Sequence, residues 1–60
     1  MNMKIKRMLK NLSQKELAQL VGTSNVTIVK IEKGNYDTVK FGTLKKIAEV
    51  LDSTFQELFL

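Results

Sequence analysis

Residues 12–34 read LSQKELAQLVGTSNVTIVKIEKG, and this stretch decides the fold because it spells two short capped helices joined by a glycine turn. Ser13, Gln14, Lys15 and Glu16 form an S-x-x-E capping box, in which serine and glutamate side chains reciprocally satisfy orphan backbone amides at a helix start. Leu12 before the cap and Leu17 four residues after it have the spacing of a hydrophobic staple, which fixes how the chain enters the helix. Leu17, Ala18, Leu20 and Val21 supply the apolar face. Gly22 offers the left-handed backbone that ends a helix at little cost, so this helix should stop at Val21.

After Thr23, the hydroxyl of Ser24 is placed to cap a second helix, whose inward positions are Ile28 and Ile31 and which Gly34 ends. The opposite face carries Asn25, Val26, Val29, Lys30 and Lys33. A core has no use for that mixture of an amide, small aliphatic groups and two cations. In the major groove of duplex DNA each has a partner: an amide pairs with adenine, a lysine reaches guanine or phosphate, and a valine methyl touches the thymine methyl.

The ordered set Leu12-Ser13-Gln14, Glu16-Leu17-Ala18, Val21-Gly22, Ser24, Thr27-Ile28 and Ile31-Glu32-Lys33-Gly34 resembles the pattern LSQxxLAxxLGxSxxTIxxIExG. That is the pattern of the helix-turn-helix family of phage lambda repressor and Cro, the XRE-type regulators of bacteria. One S-x-x-E box alone would mark only a helix start; the ordered set carries the resemblance, and the match extends over nearly the whole chain. It implies an all-α, five-helix lambda-repressor-like domain over residues 1–60, with helices two and three as the helix-turn-helix. The function implied is a sequence-specific regulator, a repressor that binds a palindromic operator in double-stranded DNA as a homodimer, without cofactor or metal.

Carried over by position, the resemblance makes Gln14 a phosphate contact that braces the start of the recognition helix, and turns Asn25, Val26 and Lys30 toward bases. Ser24, Thr27 and Lys33 fall at phosphate-contacting positions. Val29 departs from the polar residue common in the family, so it meets either a thymine methyl or the groove wall. Arg7 and Glu32 stand where the family often places an ion pair joining helix one to the recognition helix. The loop GNYDTVK, residues 34–40, is expected at the DNA backbone, with Asn35, Tyr36, Thr38 and Lys40 as contacts. Tyr36 also reads as a packing residue, its ring buried and its hydroxyl wet.

Composition narrows the alternatives. Sixty residues make one domain at most, with a small core and modest stability. The absence of cysteine and histidine removes disulfide frameworks, thiol nucleophiles and the usual zinc sites, and leaves no group poised for acid-base work near neutrality, so no enzyme is expected. The net charge of +4 suits a polyanion. It is concentrated at the amino end, where Lys4, Lys6, Arg7 and Lys10 stand without an acid in the first twelve residues. Apolar runs are too short to span a bilayer and lysines interrupt the amino terminus, so a soluble cytoplasmic protein is expected. Met3, Ile5, Met8 and Leu9 among those lysines would also suit an anionic membrane surface, although the capped helices already account for the chain.

Helix one should run from Asn2 to Lys10, with Asn11 as its left-handed stop. Phe41, Leu44, Ile47, Ala48 and Leu51 trace the inward face of helix four, which begins poorly, with Lys40 at its cap and Gly42 in its first turn, and ends near Asp52. Thr54 to Glu57 repeats the capping box and opens a last helix with Phe55, Leu58, Phe59 and Leu60. Part of Phe55, Leu58 and Phe59 must fill the core, but four large apolar residues in six exceed what one small domain covers, so Val50, Phe55, Leu58, Phe59 and Leu60 are also expected at a dimer interface. Lacking a second domain, the chain would be regulated by concentration and dimerisation. Two other readings stay open: an antitoxin or phage accessory factor of the same fold that binds a partner protein and regulates its own operon, and a helical interaction module without DNA binding. The cations left on helix three speak against the latter.

Overall fold

A computed structural model describes residues 2–60 and contains helices α1 (Met3–Leu9), α2 (Gln14–Val21), α3 (Asn25–Glu32), α4 (Phe41–Val50) and α5 (Phe55–Phe59). Strands are absent among the described residues. The fold is the all-α, lambda-repressor-like arrangement expected from the sequence.

Local chemistry sets the boundaries. At the start of α2, Ser13 Oγ accepts from the Glu16 amide at 3.0 Å while Glu16 Oε1 accepts from the Ser13 amide at 2.8 Å. Thr54 and Glu57 repeat the exchange at α5, at 3.1 and 2.9 Å. The backbone donation from Ser13, and then its hydroxyl, holds the Glu16 carboxyl below its ordinary range; Thr54 does the same for Glu57. Gly22 closes α2 at φ +84°, its amide and that of Thr23 both donating to the Ala18 carbonyl. The stops after α1 and α4 use Asn11 at φ 56° and Asp52 at φ 54°, the residue types that tolerate this region best after glycine. Helix α1 is one residue shorter at each end than expected, and α4 ends at Val50, with Leu51 as its cap. Gly34 closes α3 as expected: the helix runs to Glu32 with Lys33 as its cap, Gly34 follows at φ +89°, and the Asn35 amide donates back to the Lys30 carbonyl at 3.0 Å.

Met3, Leu17, Ile28, Ile31, Ile47, Leu51 and Leu58 are fully buried, one or more from each helix or its cap, and Ala18, Leu44, Ala48 and Phe59 complete the core. Helix α2 packs against both α3 and α4, and α4 against α5. Leu12, Val21, Tyr36, Val39, Val50 and Phe55 are half-buried around this cluster. Among the described residues every buried polar side-chain atom has a hydrogen-bond partner.

Three expectations need correction. Leu58 and Phe59, expected at a dimer interface, are in the chain's own core, because α5 folds back over α4 and needs both to close it. Phe41, expected on the inward face of α4, is 64% exposed: Lys40 gives no side-chain cap, and Phe41 lies over Phe55 rather than in the core. Leu20, expected on the apolar face of α2, also faces solvent, since Leu17 and Ala18 already fill that contact.

Candidate nucleic-acid interface

Helix α3 is eight residues long, too short to persist alone in water, so its placement comes from its neighbours. Ile28 and Ile31 anchor it in the core. At its start Ser24 Oγ accepts from the Thr27 amide at 3.1 Å and pairs with the Thr27 hydroxyl at 2.9 Å. At its end Arg7 Nε donates to Glu32 Oε2 at 2.7 Å, Arg7 Nη2 to Glu32 Oε1 at 3.4 Å, and Gln14 Nε2 to the same Oε1 at 2.9 Å. Arg7 Nη1 reaches the Leu12 carbonyl at 2.7 Å. One carboxylate thus ties α1, the first residue of α2 and the last of α3, and one guanidinium ties the α1–α2 connection to the same point. The Arg7 and Glu32 side chains are 9% and 5% exposed, so water competes little for these bonds.

With its inner face fixed, α3 presents Asn25, Val26 and Lys33 to solvent, Val26 at 73% exposure, while Thr27, Val29 and Lys30 are half-buried along the edge. Lys30 Nζ lies 3.3 Å from Thr38 Oγ1, drawn toward the loop after α3. Lys30, Asn35, Asp37 and Thr38 line an open hollow of about 250 Å³ beside the helix. A cation, an amide and a hydroxyl converge there with one carboxylate, which gives the hollow donors for an anionic oxygen and a charge that opposes one.

Gln14 was expected at phosphate; in the structure its amide nitrogen donates to Glu32, which leaves its carbonyl and one N–H for anything outside. Tyr36 needs a correction. Its hydroxyl donates to the Phe59 carbonyl at 3.1 Å and its ring lies 5.6 Å from that of Phe59, so its proton is spent on packing rather than free for a phosphate. Ser24, Lys33, Asn35, Thr38 and Lys40 are all exposed. The link between Lys30 and Thr38, eight positions apart and across the end of α3, had no periodic signal in the sequence. The aromatic ladder from exposed Phe41 through half-buried Phe55 to buried Phe59, with centroids 5.4 and 5.0 Å apart, had a misleading one, because the spacing of Phe41 matches the core face of its helix.

Residues 3–58 match the protein family described as helix-turn-helix. The chain is 39% identical over 59 residues to an uncharacterized HTH-type transcriptional regulator of Methanocaldococcus jannaschii, an alignment covering 97% of this chain and 86% of that protein. No solved structure gives a significant match.

Proposed function

Because the chain belongs to the helix-turn-helix family of the XRE type and is on that ground a DNA-binding regulator, we propose that it represses transcription from a palindromic operator as a homodimer in the cytoplasm. Residues 1–60 act in this reading as one DNA-binding domain. The observation that carries the reading is the seat of α3: two isoleucines fully buried on one side, an amide and a 73%-exposed valine on the other, and both ends tied down.

Asn25, Val26, Val29 and Lys30 face base edges in the major groove, with Val26 reaching furthest and half-buried Val29 nearer the groove wall. Gln14, Ser24, Thr27, Lys33, Asn35, Thr38 and Lys40 flank that stripe and meet the phosphates, setting register rather than reading sequence. Lys30 gives up only an exposed hydrogen bond to Thr38 when it swings to a base.

The second copy docks on Phe41, Phe55 and Leu60, with Val50 at the edge, the part of the apolar ending that the core leaves uncovered. Phe41 is 64% and Leu60 89% exposed, and exposed aromatic rings that rest on a rigid partner are frequent anchors of protein contacts. Two-fold pairing there would set the recognition helices about one DNA turn, ~34 Å, apart. Repression then follows from occupancy of the operator.

Selection of bound sequences from a random DNA pool, followed by affinities at several salt concentrations, tests the reading. A palindromic motif supports it, and binding without any enriched motif refutes it. Phe41→Asp should halve the mass seen by light scattering and weaken operator binding while the fold stays intact; an unchanged mass places the dimer contact elsewhere.

A further inference from the structure

Helix α1 points its large aliphatic residues outward. Its core side consists of Met3, fully buried, and Arg7, 8% exposed. With about 100° between successive residues, Ile5, Met8 and Leu9 lie on the opposite side, and they are 58%, 57% and 74% exposed. They occupy the i, i+3 and i+4 positions of one stripe, which on an ordinary surface helix would be the face turned to the core. Here that stripe is the solvent face, each of its three residues more than half exposed.

The charges that α1 itself carries are of one sign. Helix α1 holds no acidic residue. Arg7 is neutralised by Glu32, and Lys6 stands 3.6 Å from Glu57. Lys4 is exposed at the edge of the stripe and Lys10 is exposed just past the end of the helix, and neither has a salt-bridge partner among the described residues.

We infer that the outer face of α1 docks an acidic amphipathic helix of a second protein. Ile5, Met8 and Leu9 pack against its apolar stripe, Met8 adapting to the shape it meets, while Lys4 at the edge of the stripe and Lys10 just past the end of α1 pair with its carboxylates. A second copy of the chain fits this face poorly, since pairing α1 with α1 sets lysines against lysines with no acid on either helix. An anionic bilayer would satisfy the lysines. However, a helix of seven residues, pinned by Arg7, offers it an apolar face only about 10 Å long, against the longer faces of most interfacial helices. Because Arg7, on the reverse side of α1, bonds to the end of α3, the docking face looks away from the reading helix. The partner and DNA therefore bind the same molecule together, and the inference stands whether or not the operator reading does.

The test is a methyl-detected NMR titration of the full chain with a synthetic helical peptide of about five turns, leucines on one stripe and glutamates elsewhere. Its counterpart, with lysines in place of the glutamates, is the control. Saturable shifts at the Ile5, Met8 and Leu9 methyls, given by the acidic peptide alone and weakened about ten-fold by Leu9→Glu, support the proposal. A double variant, Lys4→Glu with Lys10→Glu, should reverse the preference between the two peptides. The proposal is overturned if the acidic peptide does not bind, if Leu9→Glu binds it equally well, or if phosphatidylglycerol vesicles shift these methyls where the peptide does not. It is equally overturned if Leu9→Glu lowers the solution mass of the chain, which would make the face a self-contact.

Discussion

Replacing Glu32 with alanine should bring the fold close to its limit, and the size of the effect can be worked from the contacts it removes. In the native chain the Glu32 carboxylate accepts two bonds from Arg7 and one from Gln14, with both charged side chains under a tenth exposed. Without it Arg7 keeps only the Leu12 carbonyl and remains a buried cation with unsatisfied N–H groups. Breaking a buried pair from one side costs about 3–5 kcal/mol, whereas an exposed pair is worth about 0.2–1 kcal/mol. A chain of 60 residues has about 3–9 kcal/mol of total stability. Glu32→Ala should therefore leave much of the protein unfolded at 25 °C, while Glu32→Gln, which keeps an acceptor for Arg7, should lose less. Urea unfolding followed by circular dichroism measures both, and Arg7→Met combined with Glu32→Leu completes the comparison. Replacing the pair together removes the orphaned charge, so the double variant should be more stable than either single alanine variant. A cost below about 1 kcal/mol for Glu32→Ala would refute the reasoning, because the pair would then behave as a surface contact despite its burial.

Other consequences are separately measurable. Leu58→Ala should cost about 2–5 kcal/mol in unfolding experiments, and Leu60→Ala, at an 89% exposed position, close to nothing; the reverse order would contradict the placement of α5. On a selected operator, Asn25→Ala and Lys30→Ala should each lose about 1–3 kcal/mol and relax preference at one base pair, whereas Lys33→Ala should weaken all sequences alike and flatten the salt dependence. With no histidine in the chain, the Tm should change little from pH 7 to pH 5. The carboxyls of Glu16 and Glu57 are held below their ordinary value near 4.5 in the folded state. Their contribution is fully present above that value and is lost as pH falls through the lower folded values, so Tm should drop in acid. A variant with Glu16→Gln and Glu57→Gln should show a shallower acid slope, and an identical slope would remove the capping boxes from the explanation.

What the sequence made legible was local. The two capping boxes, the Gly22 stop and the left-handed Asn11 each announce themselves within a few residues, because cap chemistry is a matter of adjacent donors and acceptors. Leu17 and Ala18 in α2 and Ile28 and Ile31 in α3 followed from spacing, although the same spacing placed exposed Leu20 inside. What failed to show was the outcome of competition for a small core. Phe41 has the periodicity of Leu44 and Ile47, yet Leu58 and Phe59 from α5 are in the core while Phe41 is left outside it, against Phe55. The hydroxyl of Tyr36 was legible as a wet polar tip but not as a donor to Phe59, a partner 23 residues away. In α1 the sequence grouped Met3 with Ile5, Met8 and Leu9 as one apolar set, whereas the fold buries Met3 beside Arg7 and leaves the other three exposed.

Two valines in the reading stripe alter what the scaffold must do. A hydrogen-bonded pair such as amide to adenine keeps part of its energy through small shifts, because donor and acceptor can reorient. A methyl touching a methyl gains only about 0.1–0.2 kcal/mol per atom pair and forfeits a quarter to a half of it over a gap of about 0.5–1 Å. If Val26 and Val29 read bases as proposed, their discrimination depends on how rigidly the α3 backbone is seated, more than that of Asn25 does. That rigidity comes from Ile28 and Ile31 in the core, from the Ser24 cap at one end and from the Arg7–Glu32–Gln14 cluster at the other. Arg7 lies on the first helix, and its side chain is turned to the interior rather than to the reading face. In this reading its guanidinium is nonetheless part of the sequence preference, since loosening the end of α3 blurs the apolar contacts before it breaks the polar ones.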